Sequence, residues 1–124
     1  MTSSRRPRYS AGTAFQRGDV VLVPFPFADR LAEKQRPAIV ISGDGYQQVH
    51  GDLIIAQLTS RTNAPPQLGD HVLREWQSAG LPLPSLARAR VTTIHRSRVR
   101  KRLGRLVDQD LVEVDRGLRT AMQL

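Results

Sequence analysis

The chain has 124 residues, enough for one modest core, and no apolar run approaches the length of a membrane span. The absence of cysteine excludes disulfides and thiolate metal sites, and the arginines at 5, 6 and 8 precede no apolar segment, so a cytoplasmic protein is expected rather than a secreted one. A net charge of +8, a pI near 11.4 and 17 arginines against 2 lysines favour phosphate-bearing partners, although a solvated basic face or an acidic protein partner would suit the same composition.

Residues 1–13, MTSSRRPRYSAGT, lack apolar periodicity and read as a flexible basic arm ahead of a single domain over 14–124. Gly18-Asp19 opens a first strand, Val20–Phe25, whose nearly continuous apolar residues call for cover on both faces. Pro24 and Pro26 cannot donate to a ladder, so that strand ends there or lies at an edge. A second continuous strand spans Pro37–Ser42, and SGDGYQQ after it reads as a turn-rich break. The third strand, Leu53–Thr59, runs into Thr59-Ser60-Arg61 and the loop TNAPPQLGD. A short fourth strand, His71–Glu75, precedes a loop through SAGLPLPS, where Trp76 is expected as a packing anchor. The fifth, Leu86–Ile94, is marked by clustered β-branched residues.

Only the C-terminus has helical spacing. Leu111, Val114, Leu118, Ala121 and Met122 share one face, Asp108 or Asp110 can cap the first turn, and Asp110 with Glu113 has capping-box spacing. The expected fold is mainly β with α: a small curled antiparallel sheet or barrel with a C-terminal helix.

The sequence lacks a phosphate-binding Walker loop, a dinucleotide glycine pattern, an HExxH motif and a serine-hydrolase elbow. His50, His71 and His95 stand singly, so neither a metal site nor a cofactor is expected. Polar residues at strand ends remain. Arg36 precedes Pro37, which biases it to extended backbone at the start of the second strand. Thr59 and Ser60 offer hydroxyls at the end of the third. If these strands are antiparallel neighbours, Arg36 and Thr59 meet at one end of the sheet. A guanidinium beside a hydroxyl suits a phosphate, and above all the added charge of a pentacoordinate phosphorane. From spacing alone, a rim residue ion-paired with Glu33 is the favoured reading of Arg36.

RGDVVLVPFPF, RPAIVIS and DLIIAQLTSR, in this order and spacing, resemble the MazF/PemK family of toxin ribonucleases, and RKRLGRLVDQDLVEV resembles the tail of PemK-like members. The match spans roughly residues 17–118. The resemblance implies an SH3-like β-barrel of the PemK/CcdB type, acting as a homodimer. It implies metal-independent cleavage of single-stranded RNA at short motifs, leaving a 2′,3′-cyclic phosphate and a 5′-hydroxyl, and control by an acidic antitoxin. The family's catalytic arginine falls on Arg36 and its catalytic threonine on Thr59. Lys34, Gln35, Ser60 and Arg61 beside them, with Arg88 and Arg90, are the candidate RNA contacts. The basic cluster at 96–102 is a further candidate, for RNA or for the antitoxin.

The chain departs from the family pattern in one respect. Some relatives place an acid, a proposed base, two residues after an arginine in the fifth strand; here the sequence is Arg88-Ala89-Arg90. Arginine is an awkward general base near neutral pH, which leaves Arg36 in an altered environment, His95 or a substrate phosphate oxygen to take the 2′-hydroxyl proton. A non-catalytic, protein-binding toxin of the same fold, of the gyrase-poison type, is the competing reading, because fold does not fix function.

Overall fold

In the computed structural model, residues 14–24 and 34–124 are described. The expected basic arm, Phe25 at the end of the first expected strand, and Glu33 lie outside them. The elements are β1 (Asp19–Pro24), β2 (Gln35–Val40), α1 (Asp44–His50), β3 (Asp52–Thr59), β4 (His71–Val72), β5 (Leu86–His95), a 3-10 turn (Arg96–Arg98), β6 (Lys101–Arg105) and α2 (Asp108–Met122). The six strands form one curled antiparallel sheet in the order β4-β5-β3-β2-β1-β6. This is the expected architecture, a half-barrel with a C-terminal helix.

The apolar runs in β1 and β2 are continuous because both faces of the sheet are covered. Val20, Ile39, Leu58 and Ala87 pack with Leu73, Leu81, Leu106, Val114 and Leu118, which puts α2 on the first face. Val21, Val23, Ala38, Val40, Leu53 and Ile55 bury the second face with Phe15. Burying each such side chain contributes about 1.5–3 kcal/mol, which sets the sheet register firmly.

Two close backbone approaches join the ends of the open sheet. Gly80 has φ +83°, and a Cβ there would stand 2.0 Å from the Leu103 carbonyl oxygen; a Cβ on Gly104 would meet the Ala79 carbonyl oxygen at 2.4 Å. The chain after β4 therefore lies directly against β6, a contact only glycines allow.

The structure corrects several expectations. The SGDGYQQ stretch holds α1, a short helix between Gly43 and Gly51 (φ 71°), because buried Gln47 donates to the Phe15 carbonyl at 2.6 Å and accepts from Ser42 Oγ at 2.9 Å. These tertiary bonds outweigh the poor helix propensity of its glycine. β4 covers only His71–Val72 of the expected His71–Glu75, and β6 was not foreseen. β6 is an edge strand with few apolar residues, and charge is what keeps such an edge from pairing with other chains. In α2, Val114 and Leu118 are buried and Leu111 packs beside them, but Ala121 and Met122 are exposed where the helix runs past the sheet.

Neither aspartate caps α2; its N-cap is Val107, with no side-chain hydrogen bond. Asp110 is instead fully buried and turned towards the segment after β4. Trp76 packs against the first-face core, as expected of an anchor.

Candidate active site

Pairing between β2 and β3 runs from Val40↔Ile55 to Ala38↔Gln57 and stops there, although β2 begins at Gln35 and β3 continues to Thr59. A cleft of about 170 Å³ opens in this unpaired stretch. Arg36 and Pro37 form one side; Leu58, Thr59, Ser60 and Arg61 form another. The third wall, Leu81, Pro82, Leu83 and Ser85, comes from the segment between β4 and β5.

Arg36 is half-buried in β2 opposite Val23 of β1, a position fixed by Pro37 and the buried run Ala38–Val40 behind it. Its Nε is buried and has no hydrogen-bond partner. An unsatisfied buried donor costs about 1–3 kcal/mol, more when charged, so a bound anion would relieve that cost. Thr59 Oγ1 accepts a hydrogen bond from the Arg61 backbone N–H at 3.2 Å. That turn uses an oxygen lone pair and leaves the hydroxyl proton to donate outward.

The other expected contacts are distributed around this centre. Ser60 and Arg61 line the cleft and are exposed. Lys34 is exposed just ahead of β2, and Gln35, opposite Pro24, carries a buried Oε1 without a partner. Leu86 pairs with Thr59, and Ala87, Ala89 and Val91 all turn to the first-face core. By alternation Arg88 and Arg90 therefore leave β5 on the side that Thr59 faces. Arg88 Nε lies 3.9 Å from Asp70, a loose ion pair without a hydrogen bond, and Arg90 is exposed.

The basic cluster divides by role. Arg102 bridges buried Asp19 at 3.0 Å, donates to the Ala14 carbonyl at 2.7 Å and lies over the Phe15 ring at 5.4 Å. Arg105 donates to the Arg17 carbonyl at 2.7 Å and lies 3.4 Å from Asp19. These two guanidiniums fasten β6 to β1. Lys101, opposite Leu22, is exposed in the row that contains Pro37.

His95 pairs with Asp52 at the far end of β3, seven residues from Thr59 and so roughly 23 Å away. Within one chain it cannot take a proton at the cleft. Among the described residues no three His, Asp or Glu side chains gather into a possible metal site.

Sequence reading missed the third wall. Its signal was the alternating Leu81-Pro82-Leu83-Pro84 run after Gly80, too stiff for an ordinary loop. The wall's base is held by Asp110, whose Oδ1 accepts from Arg74 N–H at 3.0 Å and meets His71 Nε2 at 2.8 Å, while Oδ2 accepts from Glu75 N–H at 3.0 Å. Burial pushes this carboxyl up, but the hydrogen bonds from Arg74, His71 and Glu75, with the charge of His71, outweigh it and hold it below the usual carboxylate range.

A more open depression of about 270 Å³ beside α2 is lined by Arg17, Ile41, Asp115, Leu118 and Arg119, among others. Its Arg17 is already committed, to Asp115 and to the Ile41 carbonyl. The cleft at Arg36 thus combines an unpartnered guanidinium donor with an available hydroxyl.

Comparison with known proteins places the chain in a family. The family model described as "PemK-like, MazF-like toxin of type II toxin-antitoxin system" matches residues 16–122. A probable endoribonuclease MazF of Mycolicibacterium smegmatis is 34% identical over 86 residues, covering 68% of this chain and 77% of that protein. Among solved structures, MazF from Deinococcus radiodurans superposes with TM-score 0.67 at 26% identity, over 88% of this chain and 96% of that one. An endoribonuclease from a mycobacterial species, in complex with its cognate antitoxin, gives TM-score 0.72 over 90% of this chain and 97% of that one; at 18% identity the likeness is one of fold.

Proposed function

Because the chain belongs to the PemK-like, MazF-like toxin family of type II toxin–antitoxin systems, we propose that it is an endoribonuclease that cleaves single-stranded RNA at short motifs without a metal. The products are a 2′,3′-cyclic phosphate and a 5′-hydroxyl. The single observation that carries this reading is the cleft in which Arg36 and Thr59 occur together, with Arg36 Nε buried and unpartnered.

In this mechanism the ribose 2′-oxygen bonds to phosphorus, the P–O5′ bond breaks, and the proton lost by the 2′-hydroxyl is balanced by the one gained by the leaving 5′-oxygen. Charge builds on the non-bridging oxygens in between. Arg36 meets that charge with a fixed, partly desolvated guanidinium, and Thr59 donates its hydroxyl proton to a phosphate oxygen. With His95 at the far end of β3 and Arg90 where some relatives place an acid, a phosphate oxygen of the substrate is the acceptor that this reading adopts for the 2′-proton. Arg88, Arg90 and Lys101 position the RNA backbone on either side.

The functional unit in this reading is a homodimer. An acidic antitoxin, the partner suited to a surface of net +8, silences it by covering the same basic face. Incubation of the purified protein with long RNA in EDTA, followed by end mapping, tests the proposal. Fragments with 5′-hydroxyl and cyclic phosphate ends are expected. Intact RNA together with inhibited topoisomerase would instead assign the protein to the protein-binding toxins.

A further inference from the structure

The cleft is chemically two-sided. One side offers a guanidinium and hydroxyls; the other is leucine and proline. A phosphate needs only the first. Leu83 is 54% exposed on the second side, whereas Leu81, two residues earlier, is 5% exposed and sits in the first-face core. Pro82, Leu83 and Pro84 are exposed in succession, and covering this apolar surface with a ligand would be favourable.

The segment that presents Leu83 is immobilised along its length. Asp110 holds its base through the backbone N–H groups of Arg74 and Glu75. Gly80 lies against β6, and Leu81 N–H donates to the Trp76 carbonyl at 3.2 Å. Beyond Leu83, Ser85 Oγ donates to the Leu83 carbonyl at 2.8 Å, and the Ser85 carbonyl accepts from Leu73 N–H at 3.0 Å. Pro82 and Pro84 limit what freedom remains. Such a surface binds without an ordering cost.

We propose that Pro82 and Leu83, backed from the core by Leu81, form a preorganised apolar shelf that receives the base of a nucleotide flanking the cleaved phosphate, making Leu83 a substrate-positioning residue. The occupant follows from the cleft itself: a ligand with an anionic group and a flat apolar face one sugar away is a nucleotide. Every base has an apolar face, so the shelf contributes rate and register while discrimination between bases lies elsewhere. The inference rests on the ribonuclease reading above.

The test uses a short single-stranded RNA that carries the protein's own mapped cleavage motif, and the same RNA with an abasic ribose at each flanking nucleotide in turn. For the wild type, one abasic position is expected to lower kcat/KM roughly tenfold, the worth of covering about half a leucine side chain. Leu83→Ser should lose a similar factor on intact RNA and less than about threefold more on that abasic RNA, because both changes remove one contact. Leu83→Met should keep most of the rate, which separates loss of the contact from loss of folding. The shelf is disproved if Leu83→Ser cleaves intact RNA like the wild type, if the two losses multiply fully, or if the substitution alters only inhibition by the antitoxin. Absence of cleavage by the wild type would remove the ribonuclease reading and the shelf together; normal wild-type cleavage with an inert Leu83→Ser would remove the shelf alone.

Discussion

Replacing Asp110 with alanine exposes how the helix supports the cleft. The carboxylate is fully buried and serves three donors, at 2.8 Å from His71 and 3.0 Å from each of the Arg74 and Glu75 backbone N–H groups. Asp110→Ala leaves two backbone donors and an imidazole without an acceptor, and breaking a buried charged cluster of this kind costs about 3–5 kcal/mol. For a domain of this size that is a fall in Tm of roughly 12–20 °C. Urea unfolding at pH 7 followed by tryptophan fluorescence measures it directly, since Trp76 packs on the same core. Acid titration adds an independent check. A carboxyl held below its usual range stabilises the fold at pH above its unfolded value, and that stability is lost as the pH falls through the lower folded value. The wild type should therefore weaken below about pH 4, and its advantage over Asp110→Ala should shrink there. A variant within about 1 kcal/mol of wild type at pH 7, or a gap that does not close in acid, would refute the assigned role.

Other substitutions separate the chemistry from the scaffold. Thr59→Val, isosteric but without the hydroxyl, should lower kcat about 10- to 100-fold with KM nearly unchanged, and Thr59→Ser should restore most of it; single-turnover cleavage reads both. Gly80→Ala should destabilise by roughly 3 kcal/mol or more in urea, since its Cβ would stand 2.0 Å from the Leu103 carbonyl oxygen at φ +83°. Arg90→Ala should weaken RNA binding regardless of sequence and make the slope of log Kd against log salt shallower by about 0.7, as measured by fluorescence anisotropy.

The features legible in the sequence were those that packing fixes locally. Uninterrupted aliphatic runs identified β1 and β2, and the 3.6-residue spacing of Leu111, Val114 and Leu118 identified α2. The RP and TS dipeptides marked both sides of the cleft because a proline and two hydroxyl residues at strand ends are local signals. Features decided by distant partners were hidden. Asp110 had the look of a cap, yet its acceptors serve backbone 35 and 36 residues away. Arg102 read as part of the basic cluster, but Asp19, more than 80 residues earlier, recruits it and Arg105 into the scaffold. α1 depends on Gln47 reaching Phe15, and β6 on an edge with little apolar pattern to reveal it. The third wall escaped notice because Gly80 and Gly104 bring it to the sheet by a tertiary contact.

The role of Arg36 in stabilising the transition state is the central claim, and single-turnover cleavage by Arg36→Ala, with RNA affinity measured on the same samples, tests it most directly. Removal of a fixed charge donor that acts on the phosphorane should lower the cleavage rate about a hundredfold or more, with a much smaller change in Kd. A rate within about threefold of wild type, or a loss that saturating RNA restores, would contradict it.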